Sequence, residues 1–162
     1  MEMLALNLRL DKSVVYGFRG RYGFLSNMAR LDNPIVLKDP DGNDVKFPTV
    51  EHFFQAVKSE DWDDRKYVAA IKTPGEAKKW VYANVATRDD WDDIQIGVMY
   101  HGLKWKFSEN NPTILEKAKK LKGMTLLEAN MWGDHYWGVN HLTGDGENVL
   151  GRLIMKRLRE IL

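Results

Sequence analysis

Leu4, Leu6, Leu8 and Leu10 alternate with Ala5, Asn7 and Arg9, and an apolar run resumes at Val14–Phe18 after the polar break Asp11–Ser13. A period of two predicts an N-terminal strand pair. A second hairpin is predicted from Ile35–Leu37 and Val45–Phe47, joined by Asp39-Pro40-Asp41-Gly42-Asn43, a run made of turn formers. Between the two, Arg19–Ala29 reads as a loop carrying Gly20 and Gly23.

Beyond Phe47 the period changes. Val50, Phe53, Phe54 and Val57 fall at i, i+3, i+4 and i+7 behind Pro48 and Thr49, which predicts a helix with one apolar stripe. A short helix is expected around Lys66–Ile71. Thr73-Pro74-Gly75-Glu76 has the form of a capping box with proline at the first helical position, so a helix should follow to about Ala83. A long helix is expected from Asp89/Asp90, with Trp91, Ile94, Val98 and Trp105 at helical spacing, and another from Pro112 with Leu115, Ala118 and Leu121 inward. Leu126 and Leu127 suggest a short strand, and residues 130–148 a long structured loop punctuated by Gly133, Gly138, Gly144 and Gly146. A last helix is expected over about 148–161. Asp61-Trp62-Asp63-Asp64 echoes Asp90-Trp91-Asp92-Asp93, and both read as acidic helix N-termini.

Composition narrows the classes. With 162 residues one domain over 1–162 is the expectation, because a chain of roughly 150 residues buries about 70% of its unfolded surface around one core. There is no cysteine, hence no disulfide framework, thiol nucleophile or cysteine-bound metal; a reducing compartment is as acceptable as any, and the expected setting is cytoplasmic. Met1 to Asp11 lacks the continuous apolar core of a cleavable signal, and no stretch reaches the ~20 apolar residues of a membrane span. The formal net charge of +1 argues against holding nucleic acid mainly by counterion release. Lys117, Lys119, Lys120 and Lys122 read as a solvated helix face.

Four stretches could carry chemistry. Glu51 and Lys58, at i and i+7, point the same way at the edge of the apolar stripe, with Gln55 one step round; this is either a boundary charge pair or a functional one. Trp132, Asp134, His135, Tyr136 and Trp137 share a glycine-punctuated loop, as a core closure with an Asx turn would, or a pocket for a planar base. His52, His101, His135 and His141 are too scattered for a zinc site, so no metal is expected. Arg19 and Arg21, beside Tyr22, Ser26 and Asn27, are either solvated loop charges or a phosphate clamp. Asn148 reads as the N-cap of the last helix, a place that can also receive a phosphate or a ribose hydroxyl.

In this order the stretches resemble the YbiA-like, or NADAR, family. The matching residues are Phe18…Phe24-Leu25-Ser26-Asn27, Thr49-Val50-Glu51-His52-Phe53-Phe54-Gln55-Ala56…Lys58, Trp91…Met99…Leu103…Lys106-Phe107, Leu127-Glu128, Asp134…Trp137-Gly138 and Gly146…Asn148…Leu150-Gly151…Met155. The loop carrying Arg19 and Arg21 departs from relatives that are acidic there. The resemblance implies an α+β, mainly helical single domain with short N-terminal β-strands or hairpins. It also implies N-glycosidase chemistry on ribosylamino-pyrimidine phosphates of the early riboflavin pathway or on ADP-ribosylated guanine. Glu51, Trp91 and Asp134 take the catalytic roles by that resemblance; Lys58 and the 19–27 loop are their neighbours. Trp132, Trp137 and Asn148 complete the expected substrate contacts.

The expected partner is thus a ribosylated base or an ADP-ribose-containing substrate, ADP-ribosylated nucleic acid included, with no cofactor and no membrane. A second class fits the same residues: a non-catalytic module that binds ADP-ribose or a nucleotide.

Overall fold

The computed structural model describes residues 2–161. In chain order the elements are α1 (Glu2–Leu10), β1 (Val14–Tyr16), a 3-10 helix (Gly20–Leu25), β2 (Arg30–Lys38), β3 (Asp44–Thr49), α2 (Val50–Ala56), α3 (Trp62–Ala70) and α4 (Pro74–Asn84). They continue with α5 (Trp91–Lys106), α6 (Pro112–Lys119), β4 (Thr125–Leu127), β5 (Ala129–Asn130), β6 (Val139–Asn140) and α7 (Val149–Glu160). The fold is mixed, with helix predominating, and the chain divides into two compact units: residues up to Ser26 together with those from Ile114, and residues Asn27–Thr113.

The first unit corrects the reading of the N-terminus. Residues 2–10 form a helix rather than a strand. Glu, Met, Leu, Ala and Arg are all strong helix formers, and a helix turns Ala5 and Leu8 inward while leaving Leu6 and Leu10 exposed. β1 therefore has no partner in residues 2–10; it pairs in parallel with β4, Val14 opposite Thr125 and Tyr16 opposite Leu127. The loop at 19–29 contains the 3-10 helix, and the long loop at 130–148 holds the two-residue parallel pair of β5 and β6. α7 packs along β4 with Leu150, Ile154 and Leu158 buried. At Gly151 a Cβ would stand 2.2 Å from the Leu126 carbonyl oxygen, so only glycine allows this approach. The lysine-rich stretch is tied down locally: Lys119 pairs with Glu116 at 3.0 Å, and the Lys122 ammonium donates to the Ile161 carbonyl at 3.0 Å.

The second unit opens on the expected hairpin, longer than its apolar core suggested. Asp39 builds the turn: its Oδ1 accepts from the backbone N–H groups of Asp41 at 2.9 Å and Asn43 at 2.8 Å. A hydrogen bond from Lys66 holds the Asp39 carboxyl below the usual carboxylate range. The pairing register slips between Arg30 and Ile35, where Pro34 lacks the N–H a ladder needs. The helices then follow close to their predicted bounds, α3 beginning four residues early. Thr73 caps α4 by accepting from the Glu76 N–H at 3.2 Å. Asp61 caps α3 by accepting from Asp63, whereas Asp90 at the start of α5 bonds Arg88 instead. Trp105 packs as a helix residue and donates to the Asn33 carbonyl at 3.1 Å. Among the described residues no helix is long and apolar enough to cross a membrane.

Candidate active site

The candidate site in the second unit starts from how α2 begins. Thr49 leaves β3 in extended geometry (φ −140°, ψ 161°), and its hydroxyl oxygen accepts from the His52 N–H at 3.0 Å, so a strand turns directly into a helix. The next orphan donor, the Glu51 N–H, is taken by the Asn27 carbonyl at 3.0 Å. All seven residues of α2 are buried. That includes Glu51, only 7% exposed, at the first turn where the helix dipole favours a carboxylate. α5 can seat against α2 because of Gly102, where a Cβ would stand 3.1 Å from the Phe53 ring and 3.2 Å from Val50.

His52 locks this turn to the α3–α4 connection. Its Nε2 is 2.8 Å from the Ile71 carbonyl and its Nδ1 2.8 Å from the Thr49 hydroxyl, an arrangement satisfied by the neutral ring with its proton on Nε2. Burial pushes the His52 pKa below its ordinary 6.5. The unfolded chain therefore takes up a proton at a pH where the folded chain does not, and stability is lost as pH falls below about 6.5. Thermal unfolding at pH 7.5 and 5.5 should show a fall with a slope of at most about 1.4 kcal/mol per pH unit from this group. His52→Gln should be less stable at pH 7.5 and lose less on acidification; an equal loss would remove His52 as the cause.

Glu51 is held from one side. Gln55, one turn on and also buried, donates its amide Nε2 to Glu51 Oε1 at 2.8 Å. Among the described residues this is the one hydrogen bond to the Glu51 carboxylate, so its other oxygen is uncommitted. Lys58 completes the face. Its ammonium lies 5.5 Å from the Phe54 ring centroid and 5.8 Å from that of Trp91, and the two rings are 4.9 Å apart at 58°. Trp91 is 8% exposed. Burial pushes the Lys58 pKa down; Glu51 opposes that shift and the Lys78 charge adds to it. An acid, a depressed amine and a nearly buried indole thus share one apolar wall, and Gln55 and Lys58 open onto a cavity of about 580 Å³. The sequence places Gln55 beside this pair without a role, and its i, i+4 spacing from Glu51 is the signal for the contact.

Asn27 belongs to the same neighbourhood through its carbonyl. Its side-chain Nδ2 donates to the Met99 sulfur at 3.4 Å, and its Oδ1 is buried without a partner among the described residues.

In the first unit the other candidates are mostly engaged by the fold. The Asp134 Oδ1 accepts from the N–H groups of Tyr136 at 3.1 Å and Trp137 at 2.9 Å, closing an Asx turn. Asn130 clamps the Asp134 backbone from both sides, accepting from its N–H and donating to its carbonyl. Trp137 stands edge-on to Tyr136 at 5.1 Å, whereas Trp132 is 67% exposed. The Arg21 guanidinium lies 4.7 Å over the Tyr22 ring, and Arg19 folds back over Gly17, where a Cβ would come within 2.9 Å of Nη2. Ser26 caps the 3-10 helix through its backbone N–H to the Gly23 carbonyl. Asn148 occupies the N-cap of α7 in left-handed geometry (φ 51°) and makes no cap bond. Its amide instead donates to the Leu126 carbonyl at 2.8 Å and accepts from the Glu128 N–H at 2.9 Å. Among the described residues no group of three or more His, Cys, Asp or Glu is placed to hold a metal ion.

The chain is similar to known proteins over most of its length. The family model of the NADAR domain matches residues 16–162. A maize protein named riboflavin biosynthesis protein PYRR, chloroplastic, is 34% identical over 152 residues, covering 87% of this chain and 24% of its own length. The chain therefore spans about a quarter of that relative. The N-glycosidase YbiA of Shigella flexneri is 32% identical over 148 residues, 91% of this chain and 86% of the relative. The NMR structure of the E. coli protein YbiA superposes with a TM-score of 0.70 at 29% identity, covering 91% of this chain and 83% of that one.

Proposed function

The chain belongs to the NADAR domain family, and we propose that it is an N-glycosidase that hydrolyses the C–N bond between ribose and a nitrogenous base. The observation that carries this reading is the buried Glu51 carboxylate, held by Gln55 and near Lys58, two residues that border a ligand-sized cavity, with Trp91 beside Lys58. Breaking an N-riboside leaves positive charge at the anomeric carbon, water adds there, and the departing nitrogen takes up a proton. Glu51 acts as the base toward that water or stabilises the developing charge. Trp91 offers its remaining exposed edge to the base. Lys58 supplies charge beside Glu51 rather than a covalent bond to ribose. Asp134 enters by the family resemblance, as a second carboxylate with one oxygen already bound within its own loop.

The relatives' names point to riboflavin biosynthesis and N-glycosidase activity, and by the family resemblance the substrate is a ribosylamino-pyrimidine phosphate, with ADP-ribosylated guanine as the other class to test. The reading takes residues 1–162 as one NADAR domain and the setting as cytoplasmic. The competing reading is a non-catalytic module for ADP-ribose or a nucleotide. Mass spectrometry of products from riboflavin-pathway intermediates, NAD, ADP-ribose and DNA bearing ADP-ribosylated guanine decides between them. Release of free base from one of these is the expected result; tight binding with every compound recovered intact would sink the hydrolase.

A further inference from the structure

The cavity that Gln55 and Lys58 open onto carries more positive charge than the proposed chemistry uses. Lys78 and Lys79, on α4, line it together with Lys58. Among the described residues neither Lys78 nor Lys79 has an ion-pair partner, whereas Lys66, Lys119 and Arg88 each hold a carboxylate. The Lys78 charge is close enough to push the Lys58 pKa down. Three lysines around one cavity against the single Glu51 carboxylate beside Lys58 leave an excess of two positive charges, which an anion of two negative charges balances.

The rest of the lining gives the anion's size and form. Val81 and Val85 provide an apolar floor, the Thr87 side chain a hydroxyl, and Tyr82 stands at the rim 92% exposed. About 580 Å³ is the volume of a small-molecule site. A long polyanion fits less well. The backbone N–H of Arg88 bonds the Lys58 carbonyl at 2.9 Å, and Arg88 brings Glu60 and Asp90 alongside, both exposed carboxylates that a passing phosphodiester chain would meet.

We propose that Lys58, Lys78 and Lys79 form a phosphoryl-binding subsite that takes the terminal phosphate of a sugar-phosphate ligand and directs its other end toward Glu51 and Trp91. The phosphate site stands on the lysine cluster alone; what lies at the ligand's other end rests on the N-glycosidase reading. Lys78 and Lys79 are specificity residues, touching a part of the ligand remote from the bond that breaks.

Ribose 5-phosphate tests the subsite independently of hydrolysis, because it has no C–N bond to cleave. Its binding to the whole chain should be followed by calorimetry and by amide shifts in NMR, against ribose, inorganic phosphate and a single-stranded 12-mer oligonucleotide. Ribose 5-phosphate should bind, ribose at least about tenfold more weakly, and Lys78→Ala/Lys79→Ala should raise the Kd for ribose 5-phosphate by about tenfold or more. Lys78→Arg/Lys79→Arg should restore it. Both lysines are exposed on α4, so their loss leaves the fold intact. No binding of ribose 5-phosphate, equal binding of ribose, or a Kd indifferent to the alanine pair overturns the subsite. Tighter, lysine-dependent binding of the oligonucleotide overturns the sugar-phosphate assignment. A protein that binds ribose 5-phosphate in this way yet releases no base from any riboside refutes the hydrolase and leaves the subsite standing.

Discussion

Replacing Glu51 by Gln is expected to lower turnover of the ribosylated substrate by ~10²–10⁴-fold, the range a positioned acid–base group contributes. The substitution isolates charge from packing. An amide oxygen accepts from Gln55 Nε2 as the carboxylate oxygen does, and the side chain keeps its volume on a fully buried helix. Circular dichroism and thermal unfolding should therefore stay near wild type while kcat collapses. Lys58 would then sit, already depressed by burial, without the carboxylate that opposes the depression, so its pKa should fall further. Asp134→Asn belongs in the same experiment. Its Oδ1 makes two backbone bonds that an amide oxygen can retain, so its effect also reads charge rather than folding. If both variants keep more than about a tenth of wild-type turnover, the two-carboxylate account is wrong.

Asn148→Ala is expected to act on stability instead. The residue is 5% exposed, and both ends of its amide are spent on backbone groups of the segment around β4, the Leu126 carbonyl and the Glu128 N–H. Alanine leaves a buried acceptor and a buried donor unpaired, each costing about 1–3 kcal/mol, and places a less tolerant residue at φ 51°. A loss of roughly 2–5 kcal/mol, or about 5–15 °C in Tm for a chain of this size, should follow. Asn148→Gly separates the causes: glycine accepts the backbone geometry but still loses both bonds, so it should recover a small part only. Asn148→Asp keeps an acceptor for Glu128 but sets an oxygen against the Leu126 carbonyl, and should fall between. A variant that keeps its Tm and loses substrate affinity would return Asn148 to the substrate site, where the sequence reading put it.

Much of the second unit is legible in the chain because its signals are local. The turn at Asp39–Asn43, the i, i+3, i+4, i+7 stripe of Val50, Phe53, Phe54 and Val57, and the Thr73 cap each act within about two turns of backbone. The N-terminus is the counterexample. A period of two there is a true pattern, yet a strand needs a neighbour to take its hydrogen bonds, whereas a helix of Leu, Ala, Met and Glu supplies its own. The partner that β1 does find lies at Thr125–Leu127, and nothing in residues 2–16 points to it.

The site divides along the same line. Sequence alone placed Glu51 and Gln55 one turn apart on a short helix and offered an Asx turn at Asp134 as one of two readings, whereas its expectation of Lys58 on the same helix is corrected: α2 ends at Ala56, and Lys58 follows it in the turn after the cap. Only the tertiary structure decided that α5 delivers Trp91 to Phe54 and Lys58, that α4 adds Lys78 and Lys79 to the same cavity, and that Asn148 serves as a strand's missing partner rather than as a cap. Those contacts join residues about twenty or more positions apart. Their selection depends on which surfaces pack and which buried groups still need a hydrogen bond, and neither is written in local spacing.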